Sequence, residues 1–285
     1  MQPTALPPLG RSDSPGSAVA GDEAHVAFNR VHMAFGGRRV FHDLSCSFPR
    51  GKISVILGGS GSGKSTVLRL IGGLVHPQAG SIIVDAEDIT RLSERQMYAV
   101  RQKLGMMFQG GALLDSLGVF DNLAFPLREH TTLREPEIAA EVHARLAAVG
   151  LSNVDDLLPG QLSGGMTKRV ALARAIMMKP VILLCDEPFS GLDPISGRRI
   201  EALLSGINRQ FGMTIVCVSH HVASTMRMAA RVLVLLPDGA VEGTPAELQR
   251  STDPRIVSFL REDVDESLAL VETPVEFAPT AGRGS

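Results

Sequence analysis

Cysteine is scarce in this chain. Cys46, Cys185 and Cys217 are odd in number, far apart and without a C-x-x-C pair. Each sits in an apolar run, which predicts buried free thiols in a reducing compartment rather than a disulfide framework. An excess of charge of either sign is also missing: the net charge is −2. That excludes the strongly basic surface by which a nucleic-acid-binding domain is recognised, leaving only a local patch open. No apolar run approaches the roughly 18 residues that a membrane-spanning helix needs. The first residues lack a positive-then-apolar leader pattern. The expectation is a cytoplasmic chain that serves a membrane, if at all, through a partner. Apolar residues make up 44% of the 285 residues, enough for a proper core, and the length allows one or two domains.

What the chain does have is glycine in the right place. Gly58-Gly59-Ser60-Gly61-Ser62-Gly63-Lys64-Ser65-Thr66 fits G-x-x-x-x-G-K-S/T, the P-loop pattern. Before it, Ile53 to Leu57 is a short apolar run that reads as a buried strand. After it, Val67, Leu68, Leu70 and Ile71 give a helix an apolar side, with a stop near Gly72-Gly73. Strand, glycine loop and helix start are the context the motif requires. Glycines let the backbone bend round a phosphate so that successive N–H groups point at it, and the helix N-terminus adds partial positive charge. Lys64 would reach the terminal phosphates, and the Ser65 hydroxyl would bind Mg²⁺.

The rest of the chain is organised around that loop. Residues 1–22 are rich in Pro, Gly, Ser and Ala and read as a disordered tail. Val26 and Phe28, then Leu44, Cys46 and Phe48, alternate as half-buried strands. Gly36-Gly37 is a hairpin turn between them, and Ser81 to Val84 is a further strand of this antiparallel layer. Phe35 reads as a turn or core aromatic, or as a platform for a stacked base. Residues 93–104 are helix-compatible, and an apolar strand from Gly105 ends in Gln109. Residues 112–162 read as mostly helical. Ile138, Val142 and Leu146 share one face, Pro136 suits a first turn and Gly150 a C′ position. Leu162-Ser163-Gly164-Gly165 opens another helix, ended by Pro180. Ser163 there is a plain N-cap, or part of a second phosphate-binding helix end. Val181 to Cys185 is a central parallel strand ending in Asp186-Glu187, where α/β sheets bind ligands. One carboxylate can hold Mg²⁺ through water; the other can orient or deprotonate a water. Ser190 to Pro194, containing Asp193, is a tight turn. Ile200, Leu203, Leu204 and Ile207 form one helix face with Gly212 as stop. Thr214 to Val218 is a strand leading to Ser219-His220-His221, and Val232 to Leu236 enters a hairpin at Pro237-Asp238-Gly239. The other six histidines show no ligand spacing.

Taken in order, the P-loop, Gln109, Leu-Ser-Gly-Gly at 162–165, Asp186-Glu187, Asp193 and His220 resemble the ATP-binding cassette (ABC) ATPases. The resemblance covers roughly residues 24–250. It implies an α/β fold: a P-loop ABC nucleotide-binding domain with an antiparallel β subdomain and an inserted α-helical subdomain, the latter at roughly 100–178. The domain would span 23–250, with a C-terminal extension at 251–285 made of a short helix and a flexible tail. The resemblance also implies a homodimer paired head to tail, with ATP between one P-loop (Gly58 to Thr66) and the other copy's Ser163, Gly164 and Gly165. Phe35 would stack on adenine. Ser65, Gln109 and Asp186 would hold Mg²⁺, Glu187 would be the general base, His220 would contact the γ-phosphate, and Asp193 would cross the dimer seam. Phosphoryl transfer of this kind needs positioning and charge neutralisation more than covalent chemistry. Two residues depart from the family pattern: Met166 stands where glutamine is usual, and His221 where aspartate is common.

A finer resemblance is to the ATPases of the Mla (maintenance of lipid asymmetry) phospholipid transporters. It is carried by Met107 to Leu113 leading to Val119–His130, by Leu162 to Met166 followed by Arg169 and Ala171 to Ile176, and by Asp253-Pro254-Arg255 to Leu260. It implies an integral membrane permease, a small STAS-domain protein and an MCE-domain lipid-binding protein as partners, with the chain peripheral on the cytoplasmic face of the inner membrane and no nucleic acid involved. Residues 112–130 would meet the permease. The tail beyond Arg261 is acidic; disorder and ordering of Val271 to Phe277 against a neighbouring subunit are both open. The competing readings are a transporter for another solute, a soluble ABC ATPase acting on DNA or ribosomes, and a regulatory module without turnover.

Overall fold

The structure, a computed structural model, describes residues 23–261. The N-terminal tail (1–22) and residues 262–285, with the Val271 to Phe277 segment, lie outside the described residues. Strands β1 (Ala24–Phe35) and β2 (Arg38–Pro49) form the hairpin that Gly36-Gly37 demands; both glycines have positive φ. With β4 (Ala79–Val84) and β5 (Glu87–Asp88) they make an antiparallel sheet in the order β2-β1-β4-β5. Phe35 is the last residue of β1, paired with Arg38, rather than part of the turn itself.

The second sheet runs β10-β9-β3-β8-β7-β6. Here β3 is Ile53–Gly58, β6 Leu104–Met107, β7 Ile182–Asp186, β8 Thr214–Val218, β9 Arg231–Leu236 and β10 Gly239–Gly243. All its pairings are parallel except the β9–β10 hairpin. The central strands β3, β7, β8 and β9 read as nearly unbroken apolar runs because both faces are covered. Val55, Leu57, Leu183, Cys185, Ile215, Cys217, Val232 and Val234 enter one core. Their alternates Ile56, Ile182, Leu184, Val216, Val218, Leu233 and Leu235 enter the other. The first core lies under α3 (Val119–His130), α4 (Glu135–Ala148), α5 (Gly164–Ala175) and α6 (Pro194–Phe211). The second is closed by the antiparallel sheet, α1 (Lys64–Ile71) and α2 (Glu94–Gln102). Short helices α7 (Val222–Met228) and α8 (Pro245–Gln249) and a helix over 254–261 complete the described chain. All three thiols are buried and free. No helix of the described residues is long and apolar enough to cross a membrane.

Two expectations are corrected. Helix α5 stops at Ala175, well before Pro180; the chain then turns through Lys179, whose φ is 51°. Pro180 instead packs against Gly105, where an added Cβ would lie 2.8 Å from its Cγ and 2.2 Å from the Ala175 carbonyl. Strand β6 ends at Met107, so Gln109 lies in the turn beyond it, not at the strand end. In contrast Gly150 and Gly212 do end α4 and α6 in the left-handed conformation expected of them.

His25, silent in the sequence, ties the layers together. It is 2% exposed. Its Nδ1 lies 2.6 Å from Thr214 Oγ1 and its Nε2 3.2 Å from Asp85 Oδ1. Burial pushes the imidazole below its ordinary value, Arg50 adds to the effect and Asp85 opposes it. Asp85 is itself held well below the usual carboxylate range by hydrogen bonds from Lys103 and Arg50. Both groups are depressed, so each contributes stability above its unfolded-state pKa and loses it as pH falls. For His25 that loss starts near 6.5, whereas Asp85 acts only at lower pH. The melting temperature is therefore expected to fall between about pH 7.5 and about pH 5.5, and His25→Gln to flatten that interval. An undiminished slope in the variant would show that another group is responsible.

Candidate functional site

The turn from β3 into α1 is built by glycine. Gly63 precedes α1 with φ +97°, and a Cβ there would lie 2.6 Å from Val40 Cγ1 and 2.8 Å from the Phe41 ring. No side chain caps α1 and no acidic residue sits in its first turn, so its N–H groups and positive end face the loop unopposed. The Lys64 ammonium donates to the carbonyls of Gly58 (2.7 Å) and Gly59 (3.0 Å). Burial lowers its pKa, and Glu187 and Asp186 partly restore it. The Ser65 hydroxyl donates to Asp186 Oδ1 at 3.0 Å, joining the P-loop to the end of β7. The Ser62 hydroxyl is buried without a hydrogen-bond partner among the described residues, which suits a loop built to meet a further acceptor.

Beside the loop opens a cleft of about 450 Å³. Phe35, Ser60, Gly61, Gly63, Lys64, Ser65, Thr66, Gln109 and Glu187 line it. Glu187 has φ 49°, a left-handed conformation that costs a non-glycine residue on the order of 1–2 kcal/mol. It is held there from both sides. Its N–H donates to the Val218 carbonyl at 3.0 Å, and its carbonyl accepts from Lys168 Nζ at 2.9 Å and Ser190 Oγ at 3.0 Å. Its carboxylate Oε2 lies 2.8 Å from Nδ1 of His220, two residues past the end of β8.

The remaining expected residues form a separate cluster. Ser163 caps α5, its Oγ accepting from the Met166 N–H at 3.3 Å. Asp193 caps α6, its Oδ1 accepting from Ile195 and Ser196 at 2.9 and 3.0 Å. Gly164 and Gly165 bring the two helix starts together, with Leu192 Cδ2 3.8 Å and Ser196 Oγ 3.2 Å from the positions a Cβ would take. None of Ser163, Gly164, Gly165 or Asp193 lines the P-loop cleft.

Three basic residues join the site that the sequence did not single out. Arg38 lines the cleft and reaches to 3.3 Å from the Cβ position of Gly61. Arg174 donates to the carbonyls of Gly111 and Ala112 beyond Gln109. Lys168 is 7% exposed and donates to Gln109 O as well as to Glu187 O and Ser190 Oγ. A signal for Lys168 existed: it lies four residues before Leu172, on the apolar face of α5, where a lysine needs a reason.

Residues 41–190 match the ABC transporter family. The chain is 42% identical over 262 residues to the intermembrane phospholipid transport system ATP-binding protein MlaF of Escherichia coli (strain K12), covering 92% of this chain and 93% of that one. The chain belongs to the ABC transporter ATPases. As a member it binds and hydrolyses ATP. The MlaF protein of Haemophilus influenzae is 44% identical over 231 residues, 81% of this chain and 88% of the relative. The probable ribonucleotide transport ATP-binding protein mkl of Mycobacterium bovis is 40% identical over 232 residues, 81% of this chain but 65% of the relative. Among solved structures, a post-hydrolysis dimer of the ATP-binding cassette MJ0796 bound to ADP and Pi superposes with a TM-score of 0.71 at 29% identity, covering 77% of this chain and 98% of that chain. The cassette cbiO1 from Clostridium perfringens gives 0.74 at 26%, covering 89% and 100%.

The tight fit at Gly63 gives a direct test. Gly63→Ala is expected to destabilise the cassette by about 1 kcal/mol or more, from the positive φ and the contact with Val40 and Phe41 together. Nucleotide affinity should fall with it, because the α1 N-terminus would shift. Denaturant titration and equilibrium nucleotide binding check both; a variant of unchanged stability would mean the turn relaxes freely.

Proposed function

We propose that two copies of this cassette pair head to tail and power phospholipid movement through a membrane permease. The observation that carries the pairing is the separation of the two clusters. One chain presents a P-loop cleft on one side and the helix starts of Ser163 and Asp193 elsewhere. A nucleotide enclosed by both sets needs a second copy, and the dimeric cassettes among the structural relatives support that arrangement.

In this reading Phe35 stacks on adenine, and the Gly58 to Thr66 backbone with Lys64 cradles the phosphates. Ser65 and Asp186, already within 3.0 Å of each other, and Gln109 form an oxygen donor set of the kind Mg²⁺ takes. The ion would neutralise phosphate charge. Glu187 accepts the proton of the attacking water. His220, placed against the Glu187 carboxylate, orients it and faces the γ-phosphate. Ser163, Gly164 and Gly165 contact the partner copy's nucleotide, and Asp193 lies at the seam.

The phospholipid cargo rests on the MlaF relatives, which match over most of both chains. An Mla-like complex supplies the remaining partners: the permease, a STAS-domain protein and an MCE-domain lipid-binding protein, with the cassette at the cytoplasmic face of the inner membrane. Ribonucleotide transport is the second reading, favoured by the mkl relatives alone.

Glu187→Gln is expected to lower kcat by about 100-fold or more while ATP still binds. Its ATP-loaded form should sediment as a dimer. Turnover that survives the substitution would reject Glu187 as the base. Mass spectrometry of the membrane complex purified through this chain should find phospholipid; ribonucleotide without lipid would overturn the cargo assignment.

A further inference from the structure

We propose that Lys168 is a positioning residue through which contact at the Ser163 helix end sets the geometry of this chain's own Gln109 and Glu187. The inference rests on the reading above, in which Glu187 serves one nucleotide and Ser163 touches the other. Lys168 does not line the cleft. Its backbone sits on α5, about 7.5 Å along the axis from Ser163 at the usual helical rise. Its hydrogen bonds go to two different loops: to Gln109 O at 2.5 Å in the turn after β6, and to Glu187 O at 2.9 Å and Ser190 Oγ at 3.2 Å in the turn between β7 and α6. An ammonium has three donors, so its capacity is filled. Ser190 closes the arrangement by donating to the same Glu187 carbonyl. Arg174, further along the same helix, holds Gly111 O and Ala112 O. Helix α5 thus grips Gln109, the two residues Gly111 and Ala112 beyond it, and the backbone of the strained Glu187.

A helix moves as a rigid element. When another chain's nucleotide draws in the Ser163 end, Lys168 moves with it, carrying Gln109, Glu187 and Ser190 together. Burial lowers the pKa of the ammonium while Glu187 and Asp186 sustain it, so the cation also feels the two carboxylates at the end of β7. Removing the donors takes the lysine from the Gln109 carbonyl and leaves Glu187 O with its Ser190 bonds alone, so Glu187 loses one of the bonds that hold its left-handed backbone. A merely structural lysine would weaken the fold without linking the two ends of α5.

The test uses the full-length chain. Lys168→Met removes every donor at similar length, and Lys168→Arg keeps charge and donors. We expect K168M to leave nucleotide affinity within about twofold and to lower kcat by about 10-fold to 100-fold, the scale of a small misplacement near the chemistry. K168R should recover at least half of the wild-type rate. The decisive measurement is the cycle with Ser163→Ala. If Lys168 transmits the Ser163 contact, K168M adds little to the kcat loss in S163A; if the two act independently, their losses multiply. Multiplicative losses, an unchanged kcat in K168M, or no rescue by K168R each overturn the proposal. Should K168M fail to fold, Lys168→Gln, which keeps an amide donor, goes through the same cycle and is judged by the same outcomes. If E187Q is inactive while K168M is normal, only this inference falls; if E187Q turns over, the underlying site assignment falls first.

Discussion

A parallel sheet buried on both faces has no room for polar side chains along its strands, because each would need a partner inside an apolar layer. In this cassette the constraint is nearly complete: the residues of β3, β8 and β7 alternate between two cores, and polar chemistry is displaced to the strand ends. Asp186 closes β7, Glu187 and His220 follow the ends of β7 and β8 by one and two residues, and Lys64 starts the helix after β3, so all four stand at the C-terminal edge of adjacent strands. Their closeness follows first from the parallel register of β3, β8 and β7. The P-loop and the acidic pair belong to strands separated in the sheet by β8, yet Ser65 and Asp186 meet at 3.0 Å because α1 leans across.

The second layer of organisation is the single helix α5. It carries the Ser163 end outward and sends Lys168 and Arg174 inward to backbone carbonyls around Gln109 and Glu187. Burying an ammonium is costly unless every donor is used, and here the partners are carbonyls and a hydroxyl, with the carboxylates of Glu187 and Asp186 close enough to matter. The same carbonyl contact helps to keep Glu187 in a backbone conformation that few residues adopt. Met166, the departure from the family's glutamine, packs against the helical core instead of offering a polar contact. His221 stacks beside His220 and meets Phe189 edge-on, so the usual aspartate is replaced here by a ring contact.

Much of this was legible in the chain. The P-loop declared itself because glycine, lysine and serine at fixed spacing have few other uses between a strand and a helix. The hairpin at Gly36-Gly37 and the helix stops at Gly150 and Gly212 were legible for the same reason: a positive φ restricts the residue that can stand there. Pro180 misled, since proline marks where a helix cannot continue, whereas α5 had already ended in a turn through Lys179 and the proline was needed to pack on Gly105. Gln109 looks like a strand end in the sequence because the apolar run continues through Phe108, but pairing with β7 stops at Met107.

The sequence by itself determined the local elements, the α/β alternation and the glycine-rich P-loop, because periodicity and backbone restriction act over a few neighbouring residues. It carried no sign of what His25, Lys168 and Arg174 would touch. Those contacts join residues 189, 19 and 63 positions apart, and only the folded packing of helix, sheet and hairpin brings such groups within hydrogen-bond distance. The division between two clusters, one around the P-loop and one at the starts of α5 and α6, was likewise decided by the tertiary structure, since motif order along a chain says nothing of which side of the molecule each motif faces.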